Sequence, residues 1–138
     1  MAKPEGATPA PTSERYLSST DSVTDPRALL PLPAHDFQVL LALADEPRHA
    51  YGLATAVEQA DAGGVRLELG SLYRILARLT TLGVIADDGP GEGSAREARR
   101  RYYRLTPFGR RVAEAETVRL QAVVRLARRQ LAPGKVRP

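Results

Sequence analysis

One stretch of the chain indicates the fold: Ser71-Leu-Tyr-Arg74-Ile-Leu-Ala-Arg78-Leu79, then a glycine-rich segment, then Arg99-Arg-Arg-Tyr-Tyr-Arg-Leu105. The first segment places two arginines on one face of a short helix, because residues four apart lie on the same side of a helix. Val84-Ile-Ala86 and, within the last segment, Tyr102-Tyr-Arg-Leu105 predict the two strands of a hairpin. A helix followed by an arginine-lined hairpin is how a winged helix lies on DNA, with the helix in the major groove and the hairpin on the backbone.

Three helices precede the hairpin in this interpretation. Pro33 suits the first position of a helix, and Asp45-Glu-Pro-Arg48 ends that helix because proline disfavours helical geometry in the residue before it. A second helix stops at Ala62-Gly-Gly64, and the third, 70–82, is closed by Gly83. Helical spacing predicts these buried positions: Phe37, Leu40, Leu41 and Ala44; Leu53, Ala54, Val57 and Ala60; Leu72, Ile75, Leu76 and Leu79.

The last helix begins with a threonine N-cap and a proline, Thr106-Pro107, and extends to about Leu131. It carries two apolar stripes, Ala113/Leu120/Val124/Ala127/Leu131 and Phe108/Val112/Ala115/Ala122/Leu126. An apolar arc this wide needs two partners, so one stripe is expected to pack on its own domain and the other on a second chain. The alternative is that both stripes pack inside one protomer. The expected dimerisation residues are Val112, Ala113, Leu120, Val123, Val124, Ala127 and Leu131.

These patterns predict a mainly α protein, a winged helix-turn-helix with a long C-terminal dimerisation helix. Residues 1–32 are rich in Pro, Ser, Thr and Ala, and are expected to form a disordered arm because they bury too little surface to offset the entropy of ordering. The winged helix-turn-helix is expected over 33–106, the dimerisation helix over 107–132 and a disordered tail over 133–138.

Composition excludes several classes of site. The 138 residues include no cysteine and only two histidines, His35 and His49, which excludes disulfides, thiolate metal sites and a zinc site of the usual kind. No apolar run approaches the roughly 20 residues of a membrane helix, and no signal peptide is visible. A soluble cytoplasmic protein without a membrane partner is therefore expected.

Charge is distributed unevenly along the chain. From Arg96 to the end, thirteen Lys and Arg residues stand against three acids, whereas between Ala34 and Ala95 four stand against nine. This asymmetry indicates a polyanion such as double-stranded DNA as the partner of the basic part. A solvated basic surface is the alternative.

The predicted DNA-binding residues lie on the third helix, 70–82, and in the wing, 84–105: Ser71, Tyr73, Arg74, Arg78, Arg99, Arg100, Tyr102 and Arg104. Arginine can donate bidentately to guanine or to phosphate, and strand arginines can straddle phosphates or enter the minor groove. Strand alternation places Tyr102 and Arg104 outward, and Tyr103 and Leu105 inward. The structural alternatives are an ordinary exposed helix face and charge that protects a strand edge. Tyr73 is assigned equally to phosphate and to the margin of the core.

No catalytic or cofactor motif is found. The segment Gly89-Pro-Gly-Glu-Gly-Ser94 lacks the lysine and the spacing of a phosphate-binding loop, and there is no nucleophile elbow. His49 is interpreted as a structural residue. No enzymatic activity, cofactor or metal is expected.

Residues 35–131 together resemble the PadR family of bacterial transcriptional regulators, in its short-tailed form. Four segments carry the resemblance: Leu40-Leu-Ala-Leu-Ala44, His49-Ala-Tyr-Gly52, Gly70-Ser-Leu-Tyr-Arg74, and Arg101-Tyr-Tyr-Arg-Leu-Thr-Pro-Phe-Gly109. The family often has Ser-Pro where this chain has Glu68-Leu69. The resemblance implies a homodimeric repressor that binds near-palindromic operators, in some members released by a small hydrophobic or aromatic effector.

Two other functions compete with a DNA-binding repressor. A winged-helix module could use its basic surface to bind an acidic protein, and would then show little salt-dependent affinity for any duplex. A ligand sensor could bind small molecules as its main activity, with DNA release as the output.

Overall fold

The structure, a computed structural model, describes residues 25–60, 64, 66–90 and 101–134. A 3-10 helix, Pro26–Leu29, precedes the helices α1 (Ala34–Ala42), α2 (Ala50–Ala60), α3 (Leu69–Thr81) and α4 (Pro107–Gln130). The strands are β1 (Arg48–His49), β2 (Ile85–Pro90) and β3 (Arg101–Leu105). The predicted class is confirmed: mainly helical, with a small antiparallel sheet and a long C-terminal helix. None of the helices in the described ranges combines the length and the hydropathy of a membrane-spanning segment.

The core lies between the three short helices, the first residues of the wing and the start of α4. Its fully buried side chains include Val39, Leu40, Leu53, Leu72, Leu76, Leu79, Ile85 and Val112. All four positions predicted in α3 are buried, but the predicted face of α1 is wrong in part because Leu41 is exposed. Val39 and Leu43 are buried instead, on a stripe that begins with Asp36. In α2 the predicted Ala60 is also exposed.

The sheet has three antiparallel strands in the order β1-β3-β2, whereas the sequence predicted two. β1 contributes only two residues, paired as Arg48 with Tyr103 and His49 with Tyr102, so it is too short to show strand alternation. β2 also continues to Pro90, with a register irregularity between Asp87 and Pro90, where the sequence predicted a loop from Asp87 onward. The remainder of the predicted wing tip, 91–100, lies outside the described residues.

Residues 25–32, predicted to belong to a disordered arm, instead cover part of α4 and the core. Leu29, Leu30 and Leu32 are partly buried against the core, and the Leu32 amide donates to Glu116 Oε2 at 3.1 Å. The prediction was wrong here because three leucines within four residues supply the apolar surface that the rest of the arm lacks. Residues 1–24 and 135–138 of the predicted arm and tail lie outside the described residues.

The start of α4 is fastened to the turn between α3 and β2. The predicted N-cap is confirmed: Thr106 Oγ1 accepts from the Gly109 amide at 2.9 Å, and it also donates to the Gly83 carbonyl at 2.7 Å. A Cβ atom on Gly109 would lie 1.9 Å from the Val84 carbonyl oxygen, so only glycine permits this approach. Because β3 joins α4 through Thr106 alone, the wing and the long helix are held together.

Candidate nucleic-acid interface

The outer face of α3 carries three of the predicted DNA-binding residues. Ser71 is half-buried, while Tyr73 and Arg74 are exposed, on the side opposite the buried leucines and isoleucine of the same helix. An Arg74 Nη donates to Ser71 Oγ at 3.2 Å. The helix begins at Leu69 with Glu68 at the N-cap, where the Glu68 side chain makes no capping hydrogen bond. This face therefore presents a guanidinium and a phenol to the solvent.

Arg78, on the next turn of α3, pairs with a buried carboxylate of α1. Its guanidinium forms an ion pair with Asp36 of α1 at 2.5 Å; the Asp36 side chain is 3% exposed and the Arg78 side chain 49%. A buried carboxylate needs a partner, and Arg78 supplies it while keeping half of its surface in solvent. The sequence predicted Arg78 as a DNA contact and did not identify Asp36. Asp36 could have been noticed because it lies three and four residues before two buried core positions.

A cleft of about 470 Å³ brings these residues together between the start of α1 and the start of α3. Its lining includes Asp36, Arg66, Ser71, Arg74 and Arg78. Three arginines thus border one concave surface beside the outer face of α3.

The wing arginines described by the structure are each paired with an aspartate on the neighbouring strand. Arg101 Nη1 lies 3.1 Å from Asp87 Oδ2, and Arg104 Nε lies 2.9 Å from Asp88 Oδ1. Arg104 is exposed, as strand alternation predicted. The predicted contacts Arg99 and Arg100 lie outside the described residues.

The tyrosines of β3 pack against neighbouring elements. Tyr102, predicted to point outward, is half-buried, with its ring edge-to-face on His49 of β1 at 5.5 Å between centroids. His49 Nδ1 accepts from the Gly52 amide at 3.1 Å, which fits the structural role predicted for it. Tyr103 packs against the core, as predicted, and burial raises the pKa of its hydroxyl, with further raising by the Asp87 carboxylate and by Tyr73 of α3. Since α3 also packs against β2, this helix and the wing are adjacent.

Part of the basic charge counted in the sequence is used within the fold. Arg48 Nε donates to the Ala42 carbonyl at 2.7 Å, and an Arg110 Nη donates to the Ala44 carbonyl at 2.8 Å, near the end of α1. The Ala42 carbonyl belongs to the last turn of α1, where backbone acceptors lack intrahelical partners, and the Ala44 carbonyl lies two residues beyond the helix. These two arginines thus stabilise the α1 terminus.

The predicted dimerisation residues divide into two groups along α4. Val112 and Ala113 are buried in the protomer's own core and are unavailable to a second chain, a correction that follows from the close docking of the first turns of α4. Leu120 and Ala127 are half-buried, while Val123, Val124 and Leu131 are exposed. An open groove of about 450 Å³, lined by Phe37, Leu120 and Val124 among others, runs along this exposed part.

Glu116 is a buried charge that the sequence interpretation missed. It lies four residues after Val112 on the buried face of α4, accepts two hydrogen bonds from Arg119 at 2.6 and 2.9 Å, and accepts one from the Leu32 amide. The Arg119 guanidinium first, and then the Leu32 amide, hold the pKa of Glu116 below its usual range. A carboxylate in an otherwise apolar stripe was the available signal.

Residues 39–115, more than half of the chain, match the sequence model of the family described as the transcriptional regulator PadR-like family. The chain belongs to the PadR-like family. It therefore has the DNA-binding fold of a family of transcriptional regulators.

Solved structures agree with this PadR-like assignment at the level of the fold. A PadR family regulator from Clostridium difficile has a TM-score of 0.61 and 23% identity, covering 70% of this chain and 97% of its own. A PadR family regulator from Eggerthella lenta has a TM-score of 0.58 and 22% identity, covering 88% and 98%. A curated relative, an uncharacterized 37.1 kDa protein in transposon TN4556 of Streptomyces fradiae, is 44% identical over 78 residues, which are 56% of this chain and 20% of that protein. The PadR-like chain thus spans about a fifth of that relative.

Proposed function

We propose that this PadR-like regulator acts as a homodimeric, sequence-specific repressor that reads the major groove with the outer face of α3 and lays its wing on the DNA backbone. One observation carries the proposal: Tyr73 and Arg74 are exposed on α3, and α3 packs against β2 of the arginine-bearing wing. Major-groove reading needs side chains that project from a helix, and arginine is the commonest specific partner of guanine.

The direct test is equilibrium binding of the full chain to labelled duplex from its own promoter region, against a scrambled duplex, at two salt concentrations. A preference for the promoter duplex that survives the higher salt supports a specific operator, because the sequence-independent term weakens steeply with salt. Equal and steeply salt-dependent binding to both duplexes indicates polyanion attraction alone. Absence of binding to any duplex favours the alternative, a winged-helix module for an acidic protein partner.

Arg74→Ala tests the recognition helix at single-residue level. If Arg74 reads a base, the substitution should cost about 1–3 kcal/mol at the operator and relax specificity there. Arg129→Ala is the matched control, because it removes one exposed positive charge at the far end of α4. Equal effects of the two substitutions would contradict the assignment of α3.

The homodimer is proposed from the exposed apolar residues of α4, which include Val123, Val124 and Leu131. A two-fold dimer of winged helices places its recognition helices on half-sites about one helical turn apart. Footprinting should therefore reveal a near-palindromic site protected in two halves. A single unrepeated half-site would contradict the dimeric form of the proposal.

A small hydrophobic or aromatic effector is a further part of the proposal. The groove lined by Phe37, Leu120 and Val124 offers apolar surface, and Arg125 and Arg128 at its edge offer positive charge. Since a second copy is proposed to cover this face, a ligand there would alter the geometry of the dimer. Release of duplex on titration with hydrophobic aromatics supports this part, and its absence leaves a repressor without a small ligand.

A further inference from the structure

The described part of the wing carries no net charge, in spite of its arginines. Residues 85–90 contribute Asp87 and Asp88, and residues 101–105 contribute Arg101 and Arg104. The four side chains form two cross-strand pairs, at 3.1 and 2.9 Å, and all four keep part of their surface in solvent. The arginines placed to meet phosphate therefore already have carboxylate partners.

We propose that Asp87 and Asp88 are built-in counter-ions that cancel the salt-dependent attraction of Arg101 and Arg104 for DNA. The inference rests on the proposed DNA binding and specifies how that binding is regulated. Exposed ion pairs of this kind are weak, so phosphate can displace an aspartate from its arginine. The arginine then releases a cation from the DNA, while the freed aspartate attracts a cation from solution. The net release of ions is close to zero.

The recognition helix has the opposite arrangement. The hydrogen-bond partner of the Arg74 guanidinium is the Ser71 hydroxyl, and within the described part of the chain Arg74 forms no ion pair with a carboxylate. Its positive charge is therefore uncompensated at contact distance. Arg74 of the proposed recognition helix therefore keeps a charge available for phosphate, whereas Arg101 and Arg104 of the wing already have carboxylate partners.

The test is the slope of log K against log salt for a scrambled duplex, because each newly uncompensated phosphate contact adds about 0.9 to the magnitude of the slope. Asp88→Asn should steepen the slope by up to about 0.9, which is roughly a 3.5-fold stronger dependence between 50 and 200 mM salt. Asp88 is the first choice, since Asp87 Oδ1 also accepts from the Gly89 amide at 2.7 Å. In the double variant Asp87→Asn/Asp88→Asn, the slope should steepen by up to about 1.8, which is a roughly 12-fold stronger dependence of affinity on salt over the same range.

Two further variants separate the paired contact from a general change of charge. Glu114→Gln removes one exposed negative charge from α4 and should leave the slope nearly unchanged. Adding Arg104→Gln to Asp88→Asn should return the slope to that of the wild type, because the pair is then removed as a unit.

The inference is overturned if Asp88→Asn leaves the slope unchanged, if Glu114→Gln steepens it equally, or if Arg104→Gln does not reverse the effect. Each of these results leaves the proposed DNA binding intact, since all require a protein that binds duplex. A wild-type chain that binds no duplex at the lowest salt overturns the proposed function and this inference with it. Far-UV circular dichroism of each variant confirms that the comparison is made between folded proteins.

Discussion

Arg78→Ala should destabilise the fold, although the sequence alone places Arg78 on a DNA-binding face. Its guanidinium is the partner of Asp36, whose side chain is only 3% exposed. Breaking a fully buried ion pair by removing one partner costs about 3–5 kcal/mol. Because the Arg78 side chain is 49% exposed, water can replace part of the lost interaction, and we expect a smaller loss of about 1.5–3 kcal/mol in the free energy of unfolding.

Urea unfolding followed by circular dichroism measures this loss. With a slope of about 2 kcal/mol/M for a small domain, the midpoint should fall by roughly 1 M. Arg74→Ala is the matched control from the same helix, and its unfolding free energy should stay within about 0.5 kcal/mol of the wild type. DNA affinities of the two variants should be compared only under conditions where both are folded.

Asp36→Asn added to Arg78→Ala should recover part of the lost stability, because a neutral amide is less costly to leave buried without a cation than a carboxylate. An Arg78→Ala variant that unfolds with the wild type would refute the reasoning. A double variant no more stable than the single one would show that the loss arises from packing of the arginine stem instead of from the stranded charge.

Three other predictions concern α4. Gly109→Ala should lower the unfolding free energy by about 1–3 kcal/mol and depress Tm, because the new Cβ would lie 1.9 Å from the Val84 carbonyl oxygen and the backbone must shift. An unchanged Tm would contradict the close docking of α4. Arg119 and the Leu32 amide hold the pKa of Glu116 below the usual 4.5, so the carboxylate stabilises the fold above about that pH and loses this contribution as the pH falls through the lowered pKa. The difference in unfolding free energy between wild type and Glu116→Gln, measured in urea, should therefore shrink below pH 4.5. A constant difference would contradict this assignment. Val124→Glu should weaken the proposed dimer at least tenfold, about 1.4 kcal/mol, measured by sedimentation or light scattering at several concentrations, and a mass that matches wild type throughout would remove this face from the interface.

Local patterns in the sequence predicted most of the architecture. The apolar spacing of α3 identified all four of its buried residues, and Thr106-Pro107 identified the start of α4, because both signals depend only on neighbours within one helical turn. Gly83 was also identified as the end of α3, and its φ of +79° is the left-handed geometry that favours glycine. Joined by the PadR-like motifs, these elements sufficed to predict a winged helix-turn-helix.

Contacts between distant parts of the chain were beyond such patterns. β1 exists because Arg48 and His49 meet β3, more than fifty residues later, and two residues carry no periodicity of their own. The ordering of residues 25–32 likewise depends on Glu116 and on a core surface that forms only in the folded protein. Helical spacing predicted an apolar face for α1, but it did not predict which way the helix is turned about its axis. The ion pair between Asp36 and Arg78 of α3 shows that orientation.

The sequence by itself therefore determined the winged helix-turn-helix class, the approximate ends of the helices and the presence of a long amphipathic C-terminal helix. Only the tertiary structure decided which charges remain available. Arg78, Arg101 and Arg104 are matched with carboxylates, and Arg110 with a backbone carbonyl, whereas Arg74 stays on the surface with a hydroxyl partner. The physical reason is that a charge is attracted to whatever lies within a few ångströms in space, and separation along the chain does not encode that distance.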